Sequence, residues 1–171
     1  MPEFDVAILG GGNGGYACAL RAAQLGLSVG LIEKGKLGGT CLHIGCIPTK
    51  ALLHSADVLE QARVADKIGI TIDDPGFDWS KVLSFKDGVV SKHYRGLQGL
   101  IKSRGINVVE GNGRLAGPGA IDVDGGEQVT AAAVVLASGS YARSLPFIPI
   151  DGDVFVVSDH CLSMGEVPAS L

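Results

Sequence analysis

No apolar run in this 171-residue chain approaches the ~18 residues needed to span a bilayer. The start, MPEFDVAILGGG, has neither a basic leader region nor a cleavage-site pattern. These absences argue against membrane as a partner and predict a soluble, cytoplasmic protein. The formal net charge of -4 comes without any Lys/Arg cluster, so nothing resembles the electrostatic footprint of a nucleic-acid binder. Cysteine is scarce: four residues in so long a chain do not make a disulfide scaffold. In a reducing compartment, a disulfide-capable pair is more often catalytic than structural. There is no internal repeat and no flexible linker, and the length predicts one domain able to bury a core without staples.

Glycine is what the chain has in excess: 26 residues, about twice the ordinary ~7% usage. Clusters at 10–15, 35–39, 111–119 and 125–126 lie between patterned segments, which suggests tight turns or backbone approaching a ligand. Between them, Phe4 to Leu9 fits a buried parallel strand, Gly14 to Leu25 an amphipathic helix, and Ser28 to Glu33 a second strand. A helix is predicted from Pro48 to about Lys67, with Leu52, Leu53, Ala56, Leu59 and Val64 on its buried side. A longer one runs from Asp78, a plausible N-cap, to about Arg104, with Val82, Phe85, Val89, Leu97, Leu100 and Ile101 turned inward. Further strands are expected at Ile106–Glu110 and Ala133–Ala137, with a hairpin between Ala120 and Thr130 around Gly125-Gly126. The tail predicts a short strand from Val154 and one helical turn after Ser158. The predicted fold is α/β: a three-layer Rossmann-like domain with a parallel sheet and an inserted antiparallel β-meander.

Gly10-Gly11-Gly12-Asn13-Gly14-Gly15 fits G-x-G-x-x-G, directly after a strand and opening a helix. Gly10 allows the tight turn, Gly12 lets backbone approach a pyrophosphate, and Gly15 permits close helix–strand packing. Glu33 closes the second strand, where a carboxylate can bind ribose hydroxyls. This register predicts dinucleotide binding without distinguishing FAD from NAD. GGTCLHIGCIPTK, residues 38–50, places Cys41 and Cys46 five apart. On an ideal helix such residues are separated by about 7.5 Å along the axis and point ~140° apart, beyond what a disulfide tolerates. If the two are bonded, the chain between them is looped or distorted, which Gly38, Gly39 and Gly45 permit. A helix opening at Pro48 aims its positive end at the cysteines and favours a thiolate. The spacing also permits a zinc pair, but only His43 and His54 are near to complete it, and no metal is expected. Cys18 and Cys161 read as small apolar residues. His93 and His160 lack a motif partner, and no role is read for His43.

The cysteine stretch resembles the active-disulfide signature of the pyridine nucleotide–disulfide oxidoreductases, and Cys46-Ile47-Pro48-Thr49-Lys50-Ala51-Leu52-Leu53-His54 is most similar to their dihydrolipoyl dehydrogenase branch. Gly111-Asn112-Gly113-Arg114 resembles the family's glycine segment beside the adenine, and Ala137-Ser138-Gly139-Ser140 its strand end against FAD, with Ser138 where threonine is usual. The resemblance implies a bound FAD. Gly10, Gly12, Asn13, Gly14, Gly15, Glu33, Lys34, Gly39, Thr40, Cys41, Lys50, Gly113, Ala137, Ser138, Gly139 and Ser140 would form its site. It also implies a redox-active Cys41–Cys46 disulfide. Cys41 would be the outward interchange thiol, Cys46 the flavin-side thiol, and Lys50 a cation at the flavin edge.

By the same resemblance, the parent enzyme is a homodimer that oxidises dihydrolipoamide on the lipoyl domain of a 2-oxo acid dehydrogenase complex acyltransferase, with NAD as acceptor. The alternatives are a glutathione- or mercuric-type reductase, or a flavin-binding module without turnover. Residues 1–171 would then be the N-terminal part of the FAD-binding domain, lacking the NAD-binding, central and interface domains. A second G-x-G-x-x-G does not occur in the chain.

Overall fold

The computed structural model describes residues 3–170. The chain divides into two compact units, one made of the residues up to Cys41 with His93–Tyr141, the other of Leu42–Lys92 with the segment from Ala142.

The first unit is built on a sheet ordered β3-β2-β1-β6-β5-β4. Strand β1 (Phe4–Leu9) is followed by helix α1 (Asn13–Gln24) and strand β2 (Val29–Glu33), the βαβ unit that the apolar runs predict. The strands β3 (Asn107–Glu110), β2, β1 and the second half of β6 (Glu127–Leu136) run parallel. Strands β4 (Gly113–Gly117) and β5 (Ala120–Val123) continue antiparallel through the first half of β6. A single ten-residue strand therefore belongs to both the parallel sheet and the meander.

Alternation along the strands sends neighbouring side chains to opposite faces. Ile8 and Leu31 pack on one face with Ala19 and Ala22 of α1 and with Ile101 of α4 (Trp79–Ser103). Ala7 and Ile32 pack on the other with Ile121, Val123 and Val129 of the meander. The closeness of that second layer shows at Gly113, where a β-carbon would lie 2.5 Å from Leu9 Cδ1. Helices, parallel sheet and meander make the three predicted layers. Strand β4 falls inside the 111–119 glycine cluster read as a turn. Its side chains are largely exposed and two of its five residues are glycine, so no apolar alternation marks it.

Helix α2 (Gly39–Ile44) begins within the residues of the first unit, and the second contains its end, α3 (Cys46–Arg63), a 3₁₀ turn at Ala65–Ile68, the first half of α4, and the one-turn helix α5 (Ser158–Cys161). Asp78 is the N-cap expected: its Oδ1 accepts from Ser80 Oγ (2.7 Å) and the Lys81 N–H (3.2 Å). These bonds hold its carboxyl below the usual carboxylate range. The predicted inward faces are only partly realised. Leu53, Phe85 and Leu100 are 55%, 47% and 41% exposed, whereas Lys86 is buried. Its Nζ donates to Leu162 O (2.8 Å) and pairs with Asp87 (3.0 Å). Apolar spacing marks a stripe but not the partner that covers it, and a lysine stem packs like an aliphatic chain when its ammonium finds an acceptor. No strand forms at 154–157 among the described residues; Asp151 Oδ1 instead gathers the N–H groups of Asp153, Phe155 and Val154 in a turn. Cys161 is exposed, not a core residue, while Cys18 is half-buried against the α1 face of the sheet.

Candidate functional site

The glycine turn crosses from β1 to α1 at the carboxyl ends of the parallel strands, where open α/β sheets place ligands. Gly10 N–H donates to Ile32 O and Ala137 N–H to Leu9 O, each at 2.8 Å, which ties the ends of three strands together. Gly10 has φ +108°, and a β-carbon there would collide with Ala137 O. One at Gly15 would collide with Gly10 O, which accounts for both glycines by close approach. Helix α1 opens at Gly12 with no side-chain cap and no acidic residue in its first turn. The N–H groups of its first residues lack intrahelical acceptors. An uncapped positive helix end of this kind accepts a phosphate or pyrophosphate.

Beside the turn lies a cleft lined by Gly10, Glu33, Lys34, Gly113 and Ser138, five of the residues expected at the site, drawn from four separate stretches of chain. Gly111 and Asn112, from the same 111–114 segment as Gly113, line it too. Glu33 is half-buried and already engaged: Oε2 accepts the Gly11 N–H (2.7 Å) and Oε1 the Gly35 N–H (2.8 Å). A carboxylate offers about four acceptor positions, so ribose hydroxyls can still be received. Of the other expected residues, Gly14 and Gly15 approach the Ala137 side chain, and Gly12 faces Gly39. Asn13, Thr40, Gly139 and Ser140 are exposed and outside the cleft lining. Lys50 is an exposed residue of α3, in the second unit.

Cys41 and Cys46 form a disulfide, and the two remaining cysteines are free. The distortion that spacing demands is found at Gly45, with φ −143° and ψ −114°, which separates α2 from α3. The predicted helix start at Pro48 moves two residues forward, and the segment carrying Cys41 is helical rather than a glycine loop. Proline is tolerated at the third helical position because that N–H has no intrahelical acceptor in any case. Cys46 is therefore the first residue of α3, with no acidic residue in that turn, and stands closer to the helix's positive end than expected. Exposure runs against the sequence expectation: Cys46 is exposed and Cys41 half-buried.

Leu37 and the contact between Gly11 and Gly38 were not anticipated. Leu37 is buried, and its Cδ2 would lie 2.6 Å from a β-carbon at Gly11. Gly38 N–H donates to Gly11 O (2.8 Å). Only the glycine richness of 35–39 hinted at this contact.

The family model described as pyridine nucleotide-disulphide oxidoreductase matches residues 4–168. The chain belongs to the pyridine nucleotide-disulphide oxidoreductase family. Among its curated members, a dihydrolipoyl dehydrogenase of Bacillus subtilis is 45% identical over 99% of this chain and 38% of its own length. One from Vibrio cholerae is 42% identical over 99% of this chain and 36% of its own length. Dihydrolipoyl dehydrogenase 2, mitochondrial, of Arabidopsis thaliana is 43% identical over 99% and 34%. The chain thus spans between a third and two fifths of the length of these family members. No helix among the described residues is long and apolar enough to cross a membrane.

Proposed function

We propose that this chain is the FAD-binding and disulfide-bearing part of a dihydrolipoyl dehydrogenase. The parent enzyme oxidises dihydrolipoamide on the lipoyl domain of a 2-oxo acid dehydrogenase acyltransferase, with NAD as acceptor, as a cytoplasmic homodimer. The observation that carries the reading is the bonded Cys41–Cys46 pair, whose first cysteine follows by two residues a glycine seated on the dinucleotide-type turn. The site fits the group: an uncapped α1 terminus for the pyrophosphate, and a cleft with the Glu33 carboxylate and Ser138 for the adenosine portion. Asn13, Gly14 and Thr40 would flank the phosphates. Ala137, Gly139 and Ser140 would meet the cofactor at the end of β6, and Lys50 would balance negative charge on the flavin.

In the half-reaction that oxidises the substrate and reduces the protein, a substrate thiolate attacks Cys41 Sγ, the Cys41–Cys46 bond breaks, and Cys46 leaves as a thiolate favoured by the α3 terminus. The substrate's second thiol, once deprotonated, attacks its own sulfur and closes lipoamide, releasing Cys41 as a thiolate that takes a proton. Two electrons have then moved to the protein's cysteines. FAD, when bound, would supply the two-electron relay from dithiol to NAD. The assignment of Cys46 as leaving group rests on the helix terminus rather than on exposure.

The test is turnover of the full-length protein with dihydrolipoamide and NAD, compared with glutathione disulfide and with mercuric ion. Lipoamide-selective turnover is expected. Preference for either other substrate would move the protein to another branch of the family.

A further inference from the structure

Residues 33–39 hold the glycine turn from three sides. The Gly11 N–H is taken by Glu33 Oε2 (2.7 Å), its carbonyl by the Gly38 N–H (2.8 Å), and its α-carbon is covered by buried Leu37. One residue further, Gly39, with φ +59°, lies so near Gly12 that a β-carbon on it would be 2.7 Å from Gly12 Cα. Gly39 is also the first residue of α2, which carries Cys41. Few atoms therefore separate the turn that would receive the cofactor's phosphates from the helix that presents the disulfide, and both ends of the link are backbone.

We propose that residues 33–39 act as a clip, with Leu37 and Glu33 as positioning residues, that keeps the glycine turn in its ligand-receiving shape and fixes Cys41 relative to it. The inference rests on the FAD and disulfide reading above and adds a coupling: loosening the clip should change cofactor retention and disulfide reactivity together. Preorganisation is the physical reason, since a turn already held in its bound shape loses less freedom when the ligand arrives.

The decisive comparison is Leu37→Ala against Ile106→Ala in the full-length protein. Both residues are buried to nearly the same degree in one cluster, but Ile106 immediately precedes β3 and lies outside residues 33–39. Flavin release is followed by fluorescence after dilution. Disulfide reactivity is the rate at which dithiothreitol reduces Cys41–Cys46 in flavin-free protein, the reagent giving up two electrons and two protons as it closes to its own disulfide. Leu37→Ala should release flavin about tenfold faster and alter the reduction rate severalfold, with Leu37→Met restoring both. Ile106→Ala should lower the melting temperature while moving neither rate more than about twofold. Equal effects of the two variants, or a flavin effect without a disulfide effect, would overturn the clip. Should Leu37→Ala not fold, amide exchange of the wild type decides. Protected Gly11 and Gly38 amides in flavin-free protein support the clip, and unprotected ones overturn it. A wild-type protein holding no flavin would overturn the functional reading instead, leaving those amides to judge the clip on its own.

Discussion

Ile8, Leu31, Ile32, Ile121 and Val129 of the first unit are closed off from solvent, whereas Ile68 and Phe147 of the second are each 77% exposed and Val154 is 74% exposed. The first unit stacks two apolar layers on a sheet, so the centres of β1 and β2 are held by burial. The second depends more on directional anchors: Lys86 Nζ to Leu162 O, Trp79 Nε1 to Met164 O (3.0 Å), and the Asp151 carboxylate on three backbone N–H groups. Burial is non-directional and tolerant, while an anchor depends on one donor and one acceptor. The two units should accordingly fail in different ways when perturbed.

The largest effect should come from the two bonded cysteines. Cys41→Ser and Cys46→Ser in the full-length protein should each reduce lipoamide turnover about a thousandfold or more, because neither leaves a disulfide to accept electrons. They should differ spectroscopically: a long-wavelength charge-transfer band in Cys41→Ser, where Cys46 remains at the start of α3, and none in Cys46→Ser. A band in Cys46→Ser alone would exchange the two roles.

The contrast in burial is tested next by urea unfolding. Ile121→Ala should cost about 2–5 kcal/mol, the range for an enclosed aliphatic side chain, while Ile68→Ser should stay within about 0.5 kcal/mol. Comparable losses would abolish the distinction drawn between the units. The anchors come third. Lys86→Met keeps the stem but strands the Leu162 carbonyl, at a cost of about 1–3 kcal/mol, and the segment beyond residue 157 should become sensitive to limited proteolysis. Unchanged cleavage would show that the tail is held by other means.

The smallest effect is acid sensitivity. Hydrogen bonds from Ser80 and the Lys81 backbone lower Asp78, and those from the Asp153 and Phe155 backbone lower Asp151, relative to the ordinary value of 3.8. A carboxyl lowered on folding contributes stability that is present above its unfolded value and lost as pH falls through the folded one. Amide protection at Lys81 and at 153–155 should therefore decline below pH 3.8, while the centre of β2 keeps its own. Protection unchanged at pH values well below that point would show that neither carboxylate holds its backbone partners.

These contrasts also explain what sequence could and could not show. Strand β1 is found at its predicted bounds and β2 within one residue, because a parallel strand covered on both faces is written as a continuous apolar run. Cys41 and Cys46 were visible by spacing, and Gly10 and Gly15 by motif. Helix α2 was not, since six residues beginning with glycine carry little helical preference and owe their shape to packing. Nor was Lys86, whose burial depends on a carbonyl 76 positions away. Leu37 was hidden for the same reason: its value comes from the distant turn it covers, and no local period reports that.

Timing follows from the strand that serves two layers. β1 pairs with β2 across a short helical crossover, but its other neighbour, β6, lies more than a hundred residues later, and so does Ala137, which backs Gly10. Contacts of such long sequence separation form slowly because a large loop must first be closed. A nascent chain that has already produced β1, α1, β2 and the cysteines still has a glycine turn open on one side. Competence to hold the proposed dinucleotide should therefore appear late in folding, when the end of β6 docks, so that the disulfide-bearing segment exists for a time without the cofactor that would govern its redox state.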